Sequence, residues 1–306
     1  MLFSYVCKKR KNCPKKSRSP KLWNTKCKNG GTMRNEFYWK DRMHRAQEAA
    51  MHVNKMEQQF PDEINASIEN THMYSLTIQK TQEREGKVGF LLHDTDSVTE
   101  LLRMREKYYD KKIAVLNFAS YKNPGGMFLN GSGAQEECLC AESTLYNVLK
   151  AFNADLRQTE NIPCFYAWNR KHLNHAEYLN RALYSPNIIF SRNEKIIKAD
   201  VLTCAAPNYK TASSYQNITK EQNSRIFQSR ISFLADICRK ENVDILIAGA
   251  YGCGVFGQDP AETAELFLNR FSQSGTNVVF AVPTGRNDNG NFEAFQCAMQ
   301  QFAASK

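Results

Sequence analysis

The sequence predicts an α/β fold, a sheet flanked by helices. Short apolar runs bounded by polar residues recur from residue 113 onward, and segments with helical spacing of apolar side chains fall between and after them. Such alternation places helices on both faces of a sheet. A third observation is that the stretches with chemical character sit where the apolar runs end, and open α/β sheets bind ligands at the carboxyl ends of their strands.

The chain begins with a basic segment. Residues 1–34 hold eleven Lys/Arg and no acid, against a net charge of +10 for 306 residues, so residues 35–306 carry about −1. KKRKNCPKKSR has few apolar residues to bury, and residues 1–35 are expected to be a disordered basic tail. It reads equally as a nuclear-import signal, as a weak attractor of polyanions, or as a solvated extension without a partner. Cys7, Cys13 and Cys27 lie there without a CxxC pair, a histidine or a fourth cysteine, so no zinc site is expected.

Residues 36–110 are expected to be a mainly helical lead-in packed on the rest. Residues 36–60 read as a helix ending at Pro61, with Phe37, Met43, Ala46, Ala50, Val53 and Met56 at roughly helical spacing. A short strand is expected near Met73–Ile78, then a helix to about Tyr108 with Ser97 as N-cap and Glu100 three residues on. From residue 111 the strands are Ile113–Asn117, Ile188–Phe190, Val201–Ala205, Asp244–Ala250 and Asn277–Val282. The helices are 134–152, with Cys138, Ala141, Leu145, Val148, Leu149 and Phe152 on one side, then 220–240, 260–271 and 291–302. Residues 153–187 resist assignment, including His172 and His175, whose polar surroundings do not argue for a metal site.

No apolar run approaches the ~18 residues that span a bilayer. Met1–Val6 is followed by a basic block and lacks the order of a secretory signal. Several of the ten cysteines sit inside apolar runs, as free thiols commonly do. A reduced, intracellular monomer without membrane contact is expected, in the cytoplasm or, through the basic tail, the nucleus.

Three stretches carry chemistry. Asn117–Gly126 (NFASYKNPGG) leaves a strand and turns at Pro-Gly-Gly. Its glycines let backbone approach a ligand, and Asn117 and Asn123 suit a sugar hydroxyl or base edge. Gln135-Glu136-Glu137 opens a helix. A glutamate there serves as acid or base if its surroundings set its pKa, or it is simply a favoured residue in a first helical turn. Gly249–Gly257 (GAYGCGVFG) joins a strand to a helix that starts at Asp259-Pro260, which gathers free amides around a phosphate. It matches neither common nucleotide-loop pattern.

Together these stretches resemble the microbial-type poly(ADP-ribose) glycohydrolases, whose catalytic domain has the macrodomain fold. The hallmark is a glycine triplet, six to eight residues, then Gln-Glu-Glu. Here Gly125-Gly126-Met127 precedes seven residues and Gln135-Glu136-Glu137. Asn117-Phe118-Ala119-Ser120, Asn123-Pro124, Ala205–Asn208 and Gly249–Phe256 also look like the family, over most of residues 36–300. The resemblance implies a macrodomain-like catalytic domain over 111–306, hydrolysis of the ribose–ribose bonds of poly(ADP-ribose), and no metal or cofactor. It makes polymer or an ADP-ribosylated protein the partner. It makes Glu137 the catalytic residue, giving a proton to the departing ribose oxygen and then activating water. Glu136 and Asn123 hold the ribose, and the Gly125-Gly126 turn closes over it. Gly252, Cys253 and Gly254 present amides to the diphosphate, Phe256 packs on the ribose, and Gln135, Asn117 and Val255 complete the contacts. Met127 departs from the third glycine and is expected to crowd the ribose or shift the backbone if the position needs positive φ. The rival readings are a non-catalytic ADP-ribose-binding module, a mono-ADP-ribosyl hydrolase, and a nucleic-acid binder driven by the tail.

Overall fold

The computed structural model describes residues 31–76, 78, 88–153, 164–285 and 289–305, with side chains from residue 41. Most of the basic segment, with Cys7, Cys13 and Cys27, therefore lies outside the described residues. The chain divides into two units, Met1–Trp39 and Lys40–Lys306. Of the first, only the opening residues of a helix are described.

The second unit is built on one seven-stranded sheet. Its strands are β1 (His72–Ser75), β2 (Phe90–His93), β3 (Ile113–Phe118), β4 (Arg181–Arg192), β5 (Lys195–Cys204), β6 (Ile245–Ala248) and β7 (Asn277–Ala281), in the order β1-β4-β5-β3-β6-β7-β2. β5, β3, β6, β7 and β2 are parallel, while β4 runs antiparallel to both β5 and β1. The sheet is therefore mixed, and residues 36–110 supply both of its edge strands.

Strand side chains alternate between faces, and the core is split accordingly. Ile113 and Val115 face α1 (Gly31–Gln59), α2 (Pro61–Glu69), α3 (Ser97–Lys107), α4 (Gln135–Ala141) and α5 (Leu145–Ala151) through Ala49, Ile64, Leu101, Leu139 and Val148. Ala114 and Leu116 face α8 (Lys220–Lys240), α9 (Pro260–Phe271) and α10 (Gly290–Ala304) through Ile231, Leu234, Phe267 and Phe295. Two shorter helices, α6 (Phe165–Lys171) and α7 (Tyr209–Gln216), border the loops at the strand ends.

Helix ends follow local chemistry. Thr219 and Gln222 form a reciprocal capping box at α8, and Asp259 caps α9 ahead of Pro260. Pro61 ends α1 by opening α2, which the sequence reading missed. At α3 the cap is Asp96, which accepts from the Val98 and Thr99 N–H groups, and not the expected Ser97. Glu100 is instead fully buried and pairs with His93 at 3.0 Å.

The expected helix over 134–152 is two helices. Residues 142–144 leave helical geometry because their main chain bonds to β4: Ser191 N donates to Glu142 O at 2.8 Å and Thr144 N donates to Ile189 O at 3.0 Å. The Ser143 hydroxyl closes the break on Leu139 O at 2.6 Å. The expected strand at Met73–Ile78 is confined to His72–Ser75, since Leu76 takes a left-handed conformation (φ 62°).

Candidate active site

A cavity of about 670 Å³ opens at the carboxyl ends of the central strands. Gln135, Glu136, Glu137, Asn123, Gly126, Gly252, Gly254, Val255 and Phe256 all line it, so the three chemical stretches converge. Asp96, Ser97 and Tyr178 line it too. Sequence reasoning did not assign them to the site, although Asp94-Thr95-Asp96-Ser97 after an apolar run was a usable signal for a strand-end loop.

Gln135-Glu136-Glu137 sends three side chains in three directions. β6 pairs with β3 only as far as Val115. Beyond that, Gln135 accepts from Phe118 N and donates to Leu116 O, both at 2.9 Å, and reaches Ser97 Oγ at 3.2 Å. Its amide thus fixes the end of β3 against α3. Glu136 is buried and accepts from Ser120 N at 2.6 Å and from Asn117 Nδ2 at 3.2 Å. Glu137 accepts from Met127 N at 2.9 Å through Oε1, while its buried Oε2 has no partner among the described residues.

The two carboxyls leave the helix about 100° apart, yet both reach Gly126. A Cβ there would lie 2.6 Å from Glu137 Oε1 and 2.9 Å from Glu136 Oε2, and φ is +59°. Burial pushes the Glu136 carboxyl up to about 8; the bonds from Ser120 and Asn117 oppose the rise, and the charge of Glu137 adds to it.

Met127 sits at φ −110°, outside the left-handed region, so its side chain causes no backbone strain, and that side chain is partly exposed. The loop is held from α1: Arg42 Nε donates to Asn130 O at 2.8 Å and Arg45 Nε to Gly131 O at 2.9 Å.

Asn117, Gly125 and Cys253 do not line the cavity. Asn117 is fully buried beneath it, holding Glu136 and touching Thr203 Oγ1 at 3.3 Å. Gly125 packs where a Cβ would lie 2.7 Å from the Tyr146 ring. Cys253 turns its thiol to Thr263 Oγ1 at 3.3 Å and spends its N–H on Ala250 O at 3.1 Å. Among the described residues, the Gly252, Gly254, Val255 and Phe256 N–H groups have no protein acceptor and are open to a ligand. Phe256 meets Tyr178 edge-on at 6.2 Å, and Tyr178 stacks on Tyr121 at 4.4 Å. His172 stacks on Trp168 at 3.8 Å, and among the described residues no cluster of His, Cys, Asp and Glu is arranged to hold a metal.

A buried carboxyl pair beside a loop of unclaimed amides, at the strand ends of a mixed sheet flanked by helices, is an arrangement suited to glycoside chemistry on a phosphorylated sugar. A family model described as "Microbial-type PARG, catalytic domain" matches residues 41–193. The chain belongs to this family and is a glycosidase of the poly(ADP-ribose) glycohydrolase kind. It is similar to the crystal structure of poly(ADP-ribose) glycohydrolase from Thermomonospora curvata, with a TM-score of 0.72 and 26% identity over 84% of this chain and 100% of that one. The same enzyme bound to the inhibitor ADP-HPD gives 0.71 and 26%, over 84% and 99%. The Deinococcus radiodurans enzyme in complex with ADP-ribose gives 0.67 and 25%, over 79% and 99%. No curated protein matches the chain significantly.

Proposed function

We propose that the chain hydrolyses the ribose–ribose O-glycosidic bond of poly(ADP-ribose) through Glu137 and releases ADP-ribose. The observation that carries this reading is the disposition of Glu137: Oε1 is anchored by the Met127 N–H, and Oε2, without a partner among the described residues, belongs to a side chain that lines the cavity. An anchored carboxyl with one unclaimed oxygen suits proton transfer in both directions.

Glycoside cleavage passes through an oxocarbenium-like transition state. Burial raises Glu136 to about 8, so near neutral pH Glu136 keeps its own proton. Glu137 gives its own carboxyl proton to the leaving ribose oxygen as the glycosidic bond breaks; the carboxylate then recovers a proton from the attacking water, whose hydroxyl bonds to the anomeric carbon. Glu136, protonated, donates to a ribose hydroxyl, and Asn123 at the cavity mouth contacts the same sugar. The free amides at 254–256 take the diphosphate, and Phe256 lies against the ribose.

The test is Glu137→Gln with purified protein and polymer. Release of ADP-ribose should fall about 10³-fold or more, with ADP-ribose binding retained by calorimetry. Full activity in this variant would sink the assignment. The chain acts as a monomer in a reduced intracellular compartment, and residues 1–34 add salt-sensitive attraction to polymer. Deleting them should flatten the salt dependence of polymer affinity and leave turnover intact.

A further inference from the structure

Beneath the cavity lies a cation that the mechanism above does not use. Arg230 on α8 is fully buried, and no carboxylate pairs with it among the described residues. A buried charge without a countercharge is costly and needs a compensating arrangement. Its guanidinium donates to Asn180 Oδ1 at 2.7 Å, to Tyr178 O at 3.0 Å, to Glu177 O at 3.4 Å and, very closely, to Ala205 O. Each acceptor is neutral.

The Ala205–Ala206 peptide is the informative partner. It is trans, so its N–H points opposite to its carbonyl. Arg230 takes the carbonyl, which directs the Ala206 N–H away from the guanidinium. Ala206 is nearly fully buried and lines the cavity, and its Cβ lies 2.9 Å from where a Cβ on Gly252 would sit. Among the described residues that N–H has no acceptor. Buried backbone donors are paired in all but a few cases.

We propose that the Ala206 N–H is an anion donor for the ligand diphosphate, and that Arg230 is the positioning residue that charges it from behind. The guanidinium polarises the peptide through its oxygen, and hydrogen bonds in series strengthen one another. The diphosphate, in turn, supplies the countercharge that Arg230 lacks. This rests on the reading that the cavity takes ADP-ribose, and it adds a donor outside the 249–257 loop.

The experiment measures calorimetric affinity for ADP-ribose and for uncharged adenosine in the wild type, Arg230→Met and Arg230→Lys. A charge-assisted bond is worth about 10- to 100-fold in affinity. Arg230→Met should weaken ADP-ribose by about that factor and leave adenosine unchanged. Arg230→Lys keeps the charge and should restore most of the preference for the diphosphate. Equal weakening of both ligands, or full ADP-ribose affinity in Arg230→Met, overturns the proposal. Should Arg230→Met not fold, amide NMR of the wild type decides. The Ala206 proton should move downfield with ADP-ribose and stay in place with adenosine, and no shift with ADP-ribose overturns the proposal. If the wild type fails to bind ADP-ribose at all, the functional reading falls first, which separates the two failures.

Discussion

Gly126 and Gly254 line the same cavity from two glycine-rich loops. A Cβ on Gly126 would meet the carboxyls of both Glu136 and Glu137 within 3 Å, whereas a Cβ on Gly254 would meet nothing within 4 Å. Gly126 also needs its left-handed φ, and Gly254 does not. In the first loop, glycine makes room for other parts of the protein. In the second, it leaves space and unclaimed amides for a ligand. Turnover should therefore depend on the first loop and affinity on the second.

Glu137→Gln has the largest expected effect, on turnover alone. Gly126→Ala comes next: the added methyl must displace both carboxyls from a position that also strains a side chain. A fall in kcat of about 10²-fold, with ~1–3 kcal/mol lost in denaturant unfolding, is expected. Gly254→Ala should leave kcat at saturation unchanged and weaken ADP-ribose by up to about 10-fold, since the methyl enters the space where a phosphate approaches the amides. If Gly254→Ala lowers kcat instead, the division between the loops breaks.

Buried Glu136 gives the surroundings of the first loop a pH signature. Burial raises Glu136 from its ordinary 4.5 to about 8. Below pH 4.5 the folded and unfolded chains both hold this proton, and the fold has the full benefit. Between 4.5 and 8 the unfolded chain gives it up first, so stability falls with rising pH, and above 8 the loss is complete. The total is on the order of a few kcal/mol. Denaturant midpoints from pH 5 to 8.5 should follow this fall in the wild type and lose it in Glu136→Gln. Nothing comparable is expected from the second loop, which presents amides rather than acids.

The same contrast explains what the sequence could reveal. β3, α8 and α9 were legible because their apolar patterns and caps are local, as in Thr219 with Gln222 and Asp259 with Pro260. The break between α4 and α5 was not, because it is caused by pairing of residues 142–144 with β4, some 45 residues away. The turn at 174–176 escaped for a related reason: it is completed by Ala176 at φ 63°, a conformation that alanine does not announce. At the site, the glycine loops and the QEE segment singled out in the sequence line one cavity. That Asn117 supports Glu136 from below, and that Cys253 turns to Thr263, depends on neighbours brought in by other strands.

Met127 gives the smallest expected effect and the sharpest test of the first loop. The family pattern has glycine here, and a strained or crowding side chain was expected. The backbone adopts φ −110°, which any residue tolerates, and what the position supplies to the site is its N–H, held 2.9 Å from Glu137 Oε1. A glycine supplies the same N–H. Met127→Gly should therefore change kcat less than about 3-fold while lowering stability by roughly 0.5–1 kcal/mol through added freedom of the unfolded chain. Kinetics on polymer and a denaturation curve measure both. A gain in kcat of tenfold or more would mean that the thioether obstructs the ribose. The first loop would then limit the reaction through its side chain as well as its backbone, and glycine there would serve the ligand just as it does at Gly254.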